Sequence, residues 1–285
     1  MFRWFLRKES FDAAVASLEP YRQHGEEWLA GQKSSTGYCV CCQAVVAFKV
    51  AGGATFGPRV NLREGLVCPR CGLSNRSRLL YHAAIENAGP AAQAGFALLE
   101  QTTPLYHHLK ARFPHLIGSE FLDPAYTSGV EYPWRGMAVR QESISALSYA
   151  DASLNLIMHN DVLEHVHAYR TALRETARVL VPGGLAIFTM PFFMSRLAEA
   201  ELARPLPDGS TEFFGKPEYH GDGIRPEGIL TYYHFGWNLL GDLRAAGFRQ
   251  AEVGLYYDLF LGYSANNHPS FDYGLMHPLV IRAVR

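Results

Sequence analysis

The chain has little net charge, no long apolar run and no cysteine outside one short stretch. Its 26 lysines and arginines meet 27 aspartates and glutamates, for a net charge of −1. A field that weak does not steer the molecule towards nucleic acid or anionic lipid. No apolar run approaches the roughly 20 residues that a membrane-crossing helix requires, and the N-terminus lacks the apolar core and small-residue cleavage site of a secretory signal. The expectation is a cytoplasmic chain with no membrane span. Met1–Lys8 mixes aromatic with basic residues, but one such turn is too short to hold a membrane surface, and it is expected to begin a helix packed on the protein.

With 285 residues, 48% of them hydrophobic, the chain can bury one large core and carry a small appendage. From Ser10 to about Ala30 the apolar positions Phe11, Ala14, Val15, Leu18, Tyr21 and Trp28 recur at helical spacing, which predicts an amphipathic helix. Ser34-Ser-Thr-Gly37 reads as loop, so residues 1–36 form an N-terminal helical arm and 37–78 a cysteine-bearing module. From 79 to 285, helical patterns alternate with short apolar runs: Phe96–Leu99, His115–Ile117, Met137–Val139, Leu154–Met158 and Leu185–Met190. Such alternation predicts a parallel sheet flanked by helices. Ala251–Tyr257 and Leu279–Val284 are expected to pair as the last two strands at one edge.

All five cysteines lie between 39 and 71, four of them as two C-x-x-C pairs, Cys39/Cys42 and Cys68/Cys71. Each pair can place two thiolates on one metal, and two pairs complete the tetrahedral sulfur shell that structural zinc prefers. Disulfides do not suit a chain without an export signal, and a redox C-x-x-C does not explain two pairs. Four thiolates leave no open position on the metal, so its role is to fold a small segment that lacks its own core. Cys41 is left over as a spare thiol.

Leu147-Ser-Tyr-Ala-Asp151-Ala-Ser-Leu-Asn155-Leu-Ile-Met-His-Asn160-Asp-Val-Leu-Glu-His165 and Ala172-Leu-Arg-Glu-Thr-Ala-Arg178-Val-Leu-Val-Pro-Gly-Gly184 resemble class I S-adenosylmethionine (SAM)-dependent methyltransferases. The first is similar to that family's fourth-strand region. The second is similar to its "E-x-x-R-V-L-K-P-G-G" helix, turn and fifth strand. Physically, Pro182 stops a helix and two glycines permit a tight reversal into a buried strand. The resemblance implies a Rossmann-like α/β fold with a mainly parallel seven-stranded sheet, preceded here by the small zinc ribbon. Cys68-Pro-Arg-Cys-Gly-Leu-Ser-Asn-Arg76-Ser-Arg-Leu-Leu80 further resembles a bacterial subgroup with an N-terminal four-cysteine ribbon and a degenerate glycine loop.

By the same resemblance SAM lies across the carboxyl ends of the first strands. The family's first strand ends in an acidic residue and a G-x-G loop, whereas this chain reads Leu98-Leu-Glu100-Gln-Thr-Thr-Pro104. Glu100, Thr102 and Thr103 are then candidates for the methionine portion, and Glu120 for the ribose hydroxyls. Glu142 and Ser143 match the region near the adenine amino group, and Asn160 lies near the sulfonium.

Methyl transfer is an in-line displacement at an activated carbon, so positioning and desolvation carry most of the catalysis. A base is needed only when the acceptor arrives protonated. The resemblance places a substrate cap at 191–233, rich in aromatic and polar residues. His220, Asp222 and His234 are its base candidates, and His165 is a fourth catalytic candidate. Tyr219, Tyr232 and Tyr233 are candidates to line a pocket for a planar acceptor or face the sulfonium. The alternative for His220, Asp222 and His234 is structural, fixing a turn and capping a helix. The pairs His107/His108 and His165/His167 lack the carboxylate pattern of a second metal site.

The expected partner is a small-molecule acceptor, such as a sugar, glycan or specialised metabolite. One alternative is an RNA-modifying methyltransferase that grips its substrate through the ribbon, where Arg70, Arg76 and Arg78 supply positive charge; Arg76 and Arg78 can equally pin the ribbon to the catalytic domain, and the balanced net charge argues against RNA. The other is a non-catalytic scaffold that has lost SAM with the glycine loop. Acceptor atom and oligomeric state are not legible.

Overall fold

The computed structural model describes residues 1–51, 55–56, 59–89, 95–267 and 275–285. In chain order its principal elements are β1 (Arg3–Phe5), α1 (Lys8–Leu29), β2 (Ser34–Cys39), β3 (Ala44–Lys49), α2 (Asn75–Ala88), β4 (Phe96–Leu98), α3 (Pro104–Arg112) and β5 (Ile117–Gly118). There follow β6 (Glu131–Trp134), β7 (Met137–Arg140), β8 (Leu154–Asn160), α4 (Tyr169–Val179), β9 (Leu180–Thr189), α5 (Leu239–Ala245), β10 (Gln250–Leu255) and β11 (Leu279–Val284).

The central sheet has seven strands in the order β1-β10-β11-β9-β8-β4-β5. β5, β4, β8 and β9 pair in parallel, whereas β11 is antiparallel to both β9 and β10. This is a Rossmann-like α/β arrangement. β10 pairs with β11 as the tail's two apolar runs predict, but β1, not β10, forms the edge beyond them. The arrangement follows from the apolar runs at β8 and β9, which are buried on both faces as parallel central strands require. α4 ends at Val179, and Gly183, at φ +82°, turns the chain into the body of β9.

One face of the sheet carries Ala97, Ile157, Ala186, Phe188, Ile281 and Ala283, packed with α4, α5 and the start of α1. The other carries Phe96, Leu98, Leu156, Met158, Ile187 and Val280, packed with α2 and with Phe48, Leu62, Leu66 and the cysteines of the 37–78 segment. The ribbon therefore shares a core with the sheet.

Four local expectations need correction. Met1–Lys8 does not begin the helix: Arg3–Phe5 forms an edge strand antiparallel to Val253–Leu255, with Phe2 and Phe5 buried in opposite cores. Ser34–Gly37 is strand, paired through to Lys49. In α1, Tyr21 and Trp28 are 69% and 61% exposed while Arg22, Gly25 and Leu29 are buried. The stripe 11-14-18-22-25-29 runs one position away from those aromatics, and Arg22 is accommodated by ion pairs to Glu19 and Glu26. Finally, Met137–Arg140 pairs with β6 as a hairpin, joined to the strand ends by the bridge Glu120–Gln141 and by hydrogen bonds of the Gln101 side chain with Ala138 and Arg140. β1 takes the seventh place instead.

Candidate functional site

The sequence places two knuckles about 25 residues apart, and the fold brings them together. Cys39 and Cys42 flank the β2–β3 turn, while Cys68 and Cys71 lie in a turn closed by the Gly72 amide donating to the Cys68 carbonyl at 3.0 Å. The sulfurs of Cys39 and Cys71 are 3.7 Å apart, as are those of Cys42 and Cys68. All four lie within 4.8 Å of one another. Four thiolates around an ion bonded at about 2.3 Å stand about 3.8 Å apart, so the set is shaped for a tetrahedral cation. The Arg70 amide donates to the Cys68 sulfur at 3.4 Å, and burial with the adjacent sulfurs pushes the Cys42 thiol up to about 12. Cys41 lies outside the tetrad, beside Cys71 and His108.

At the carboxyl end of β4 the glycine-free loop is a helix cap. Thr103 is the N-cap of α3 and Pro104 its first residue, so the missing backbone donor costs nothing there. Glu120, after β5, latches this loop: its Oε1 accepts from the amides of Gln101 and Thr102, both at 2.9 Å, and from the Thr102 hydroxyl at 2.7 Å. Glu100 is 8% exposed and accepts a short hydrogen bond from the Thr103 hydroxyl. Burial raises its carboxyl to about 7, with the neighbouring Glu120 charge adding to the shift. The structure thus brings Glu100, Thr102 and Glu120 together at the ends of two adjacent parallel strands.

Glu142 and Ser143 stand elsewhere. Glu142 is buried, with Oε1 on the Arg140 guanidinium at 3.0 Å and Oε2 accepting from the Ser148 amide at 2.9 Å. The Ser143 amide donates to the Ser128 hydroxyl at 3.0 Å. These bonds hold the loop after β7 in shape.

Asn160 closes β8 inside a polar network that sequence reasoning missed. Its Oδ1 accepts from Arg76 and from the Thr189 hydroxyl. Arg63 makes a bidentate pair with Asp161 at 2.8 Å, and both Arg63 and Arg76 bind Glu64. Despite burial, the two guanidiniums hold the Asp161 carboxyl far below its usual range. Arg63 and Glu64 come from the cysteine module and Arg76 from the first turn of α2, so the ribbon delivers charge to the strand ends. The R-x-R after the second knuckle was the only available signal. The second arginine of that motif, Arg78, is fully buried, donating to the carbonyls of Leu66, Leu261 and Gly262 with its guanidinium 4.0 Å from the Phe48 ring centre.

The 191–233 segment is tethered to the loop after β5, because Arg225 donates to the carbonyls of Phe121 and Leu122. Asp222 holds Arg225 at 2.7 Å and accepts from the Ile224 amide at 2.8 Å. His234 is buried against Phe193, with Nε2 on Glu218 at 2.9 Å. His165 and His220 meet edge to face, with ring centres 4.9 Å apart. Between them lies Glu164, 1% exposed, its carboxyl pushed well above the usual range by burial and by Asp161. Burial also lowers His165 to about 4. Tyr219 is exposed, Tyr232 half-buried, and Tyr233 is packed against Tyr169 and Phe235. The three tyrosines therefore do not line one wall.

Residues 114–188 match a family described as a methyltransferase domain. No curated protein matches the chain. Among solved structures it is similar to an S-adenosylmethionine-dependent methyltransferase from Mesorhizobium loti, at 14% identity over 72% of this chain and 98% of that one, with a TM-score of 0.45. It is similar also to the 1,6-didemethyltoxoflavin-N1-methyltransferase of Burkholderia thailandensis, at 19% identity over 74% and 78% of the two chains, TM-score 0.39. A third is the Haloferax volcanii complex of the Trm112 methyltransferase activator with a putative methyltransferase, at 15% identity over 74% and 90%, TM-score 0.42.

Proposed function

We propose that the chain transfers a methyl group from SAM to a small-molecule acceptor, with the cofactor across the ends of β4, β5 and β8. The observation that carries this reading is the pair of carboxylates Glu100 and Glu120 at the ends of adjacent parallel strands, within a chain that contains a methyltransferase domain. SAM supplies an activated methyl group. In this reading Glu120 accepts from the ribose hydroxyls with the oxygen that the loop does not occupy, and Glu100 with Thr102 meets the methionine portion. Asn160 and Arg76 close the crevice beside them, the guanidinium bound to Glu64 and Asn160. Ser143 lies towards the adenine end, whereas Glu142 acts by shaping that loop. The cap excludes water, and His165 and His220, not the internally paired Asp222 and His234, face the acceptor.

The four cysteines would hold one structural zinc, in keeping with the ribbon subgroup that the chain resembles and with a cytoplasmic location where thiols stay reduced. An RNA substrate is less favoured, because of Arg70, Arg76 and Arg78 only Arg70 is exposed, Arg78 being buried and Arg76 half-buried against Glu64, so the set does not meet a phosphate backbone as surface charges do.

Calorimetric titration with SAM tests the reading. Wild-type protein should bind one equivalent, and Glu120→Ala should weaken binding by roughly ten- to a hundredfold, since hydroxyls lose a charged acceptor. Absence of SAM binding by folded wild-type protein would leave the scaffold alternative standing.

A further inference from the structure

Glu164 is the buried carboxylate that the fold leaves without a hydrogen bond: neither oxygen has a partner among the described residues. Buried polar groups are otherwise paired, and an exception calls for an ion or water. Its Oε1 is 3.7 Å from His165 Nε2 and 3.8 Å from His220 Nδ1. One donor atom from each of the three residues falls within 4.8 Å of the others.

The outer contacts of the two imidazoles set which nitrogen points inward. His165 Nδ1 lies 2.8 Å from the Leu230 carbonyl, an acceptor, so Nδ1 carries the proton and Nε2 presents a lone pair towards Glu164. His220 Nε2 lies 3.0 Å from a Glu218 oxygen, so it donates there and Nδ1 presents the lone pair. The second Glu218 oxygen is held by His234 at 2.9 Å. A carbonyl behind one imidazole and a carboxylate behind the other is the outer-shell arrangement that orients histidine ligands on metals.

We propose that Glu164, His165 and His220 bind a divalent first-row transition-metal cation, distinct from any ion in the cysteine tetrad. Two imidazoles and one carboxylate match the preference of such ions for mixed nitrogen and oxygen donors. Ligands bonded at about 2.1 Å around a tetrahedral ion stand about 3.4 Å apart, so the carboxylate needs to close on each imidazole by only a few tenths of an ångström. Three protein donors leave coordination positions for water or an acceptor oxygen, and an acceptor hydroxyl bound there would lose its proton more readily. The class of acceptor this selects is one carrying a hydroxyl or carboxylate oxygen. The cation site itself does not depend on the SAM reading.

The test is Co2+ titration of zinc-loaded protein, followed by calorimetry and by absorption. One equivalent should bind with weak visible d–d bands and without the strong near-ultraviolet thiolate-to-cobalt band that replacement of the tetrad ion would produce. Glu164→Gln and His220→Ala should each weaken this binding at least tenfold while the zinc content of the ribbon stays unchanged. Glu164→Gln is nearly isosteric and His220 lies in a two-residue cap strand, so at least one variant is expected to melt within a few degrees of wild type and be read. No cobalt binding, binding with thiolate character alone, or binding untouched in a folded variant would overturn the proposal. SAM affinity measured on the same samples separates this outcome from failure of the methyltransferase reading.

Discussion

Glu100 stands at the end of the first parallel strand with its carboxyl raised to about 7 by burial. A group whose folded value lies above its unfolded value of 4.5 binds more protons in the native state. Its contribution to stability is therefore fully present below about pH 4.5 and is lost as the pH rises through 7. Glu100→Gln keeps the acceptor for Thr103 and removes the titration. The melting temperature of the variant relative to wild type should accordingly climb between pH 5 and pH 8. A difference that stays flat across that range would show that Glu100 is ionised in the folded protein throughout.

Among the elements, the ribbon stands out because the β2–β3 hairpin, Leu62 and Leu66 complete the core on one face of the sheet. A metal held by its four cysteines should then stabilise the whole domain, unlike the ion of an independent finger. Metal analysis is expected to find about one zinc bound by the tetrad per chain, and Cys68→Ser to lower the melting temperature of the entire protein in one transition, or to give aggregated material. A metal-free preparation that melts like the zinc-loaded one would exclude this role. β1 shows the same economy at the far edge: three residues pair with β10, and Trp4 lies under the Arg282 guanidinium at 3.9 Å from its ring centre.

Across the whole molecule, the cysteine module and the central sheet meet in a buried ionic network. Arg63 and Asp161 are 98 residues apart in sequence and 2.8 Å apart in space. Removing one partner strips the other of its buried bidentate pairing, which costs at most about 3–5 kcal/mol, because Glu64 still holds Arg63 and Arg76 and Thr189 still hold Asp161. Arg63→Ala and Asp161→Asn should each destabilise strongly, and the double variant should recover about 1–3 kcal/mol relative to their sum. Additive losses in denaturant unfolding would mean that the two residues act separately. The same network places the ribbon's charges at the strand ends, so these variants should also alter SAM affinity.

The sequence by itself determined the local chemistry. Two C-x-x-C knuckles predict a four-sulfur set, apolar runs of strand length predict β4, β8, β9, β10 and β11, and Pro182-Gly-Gly184 predicts the reversal after α4. Each of these signals is contained within a few residues, where spacing and conformational freedom decide the outcome. Only the tertiary structure decided that Met1–Lys8 contributes a strand, since three alternating residues are too short a period to read and their partner lies about 250 positions away. It likewise decided which polar groups are already used. Asp222 and His234 spend their hydrogen bonds inside the cap, Glu142 spends its own on Arg140 and Ser148, and Arg63 and Arg76 spend theirs on Asp161, Glu64 and Asn160. Glu164, next to a histidine that the sequence does single out, acquires its meaning from His220, 56 positions later, and from the burial that leaves it unpaired. A buried polar group is defined by what fills its remaining bonds, and chain folding over long separations sets that complement.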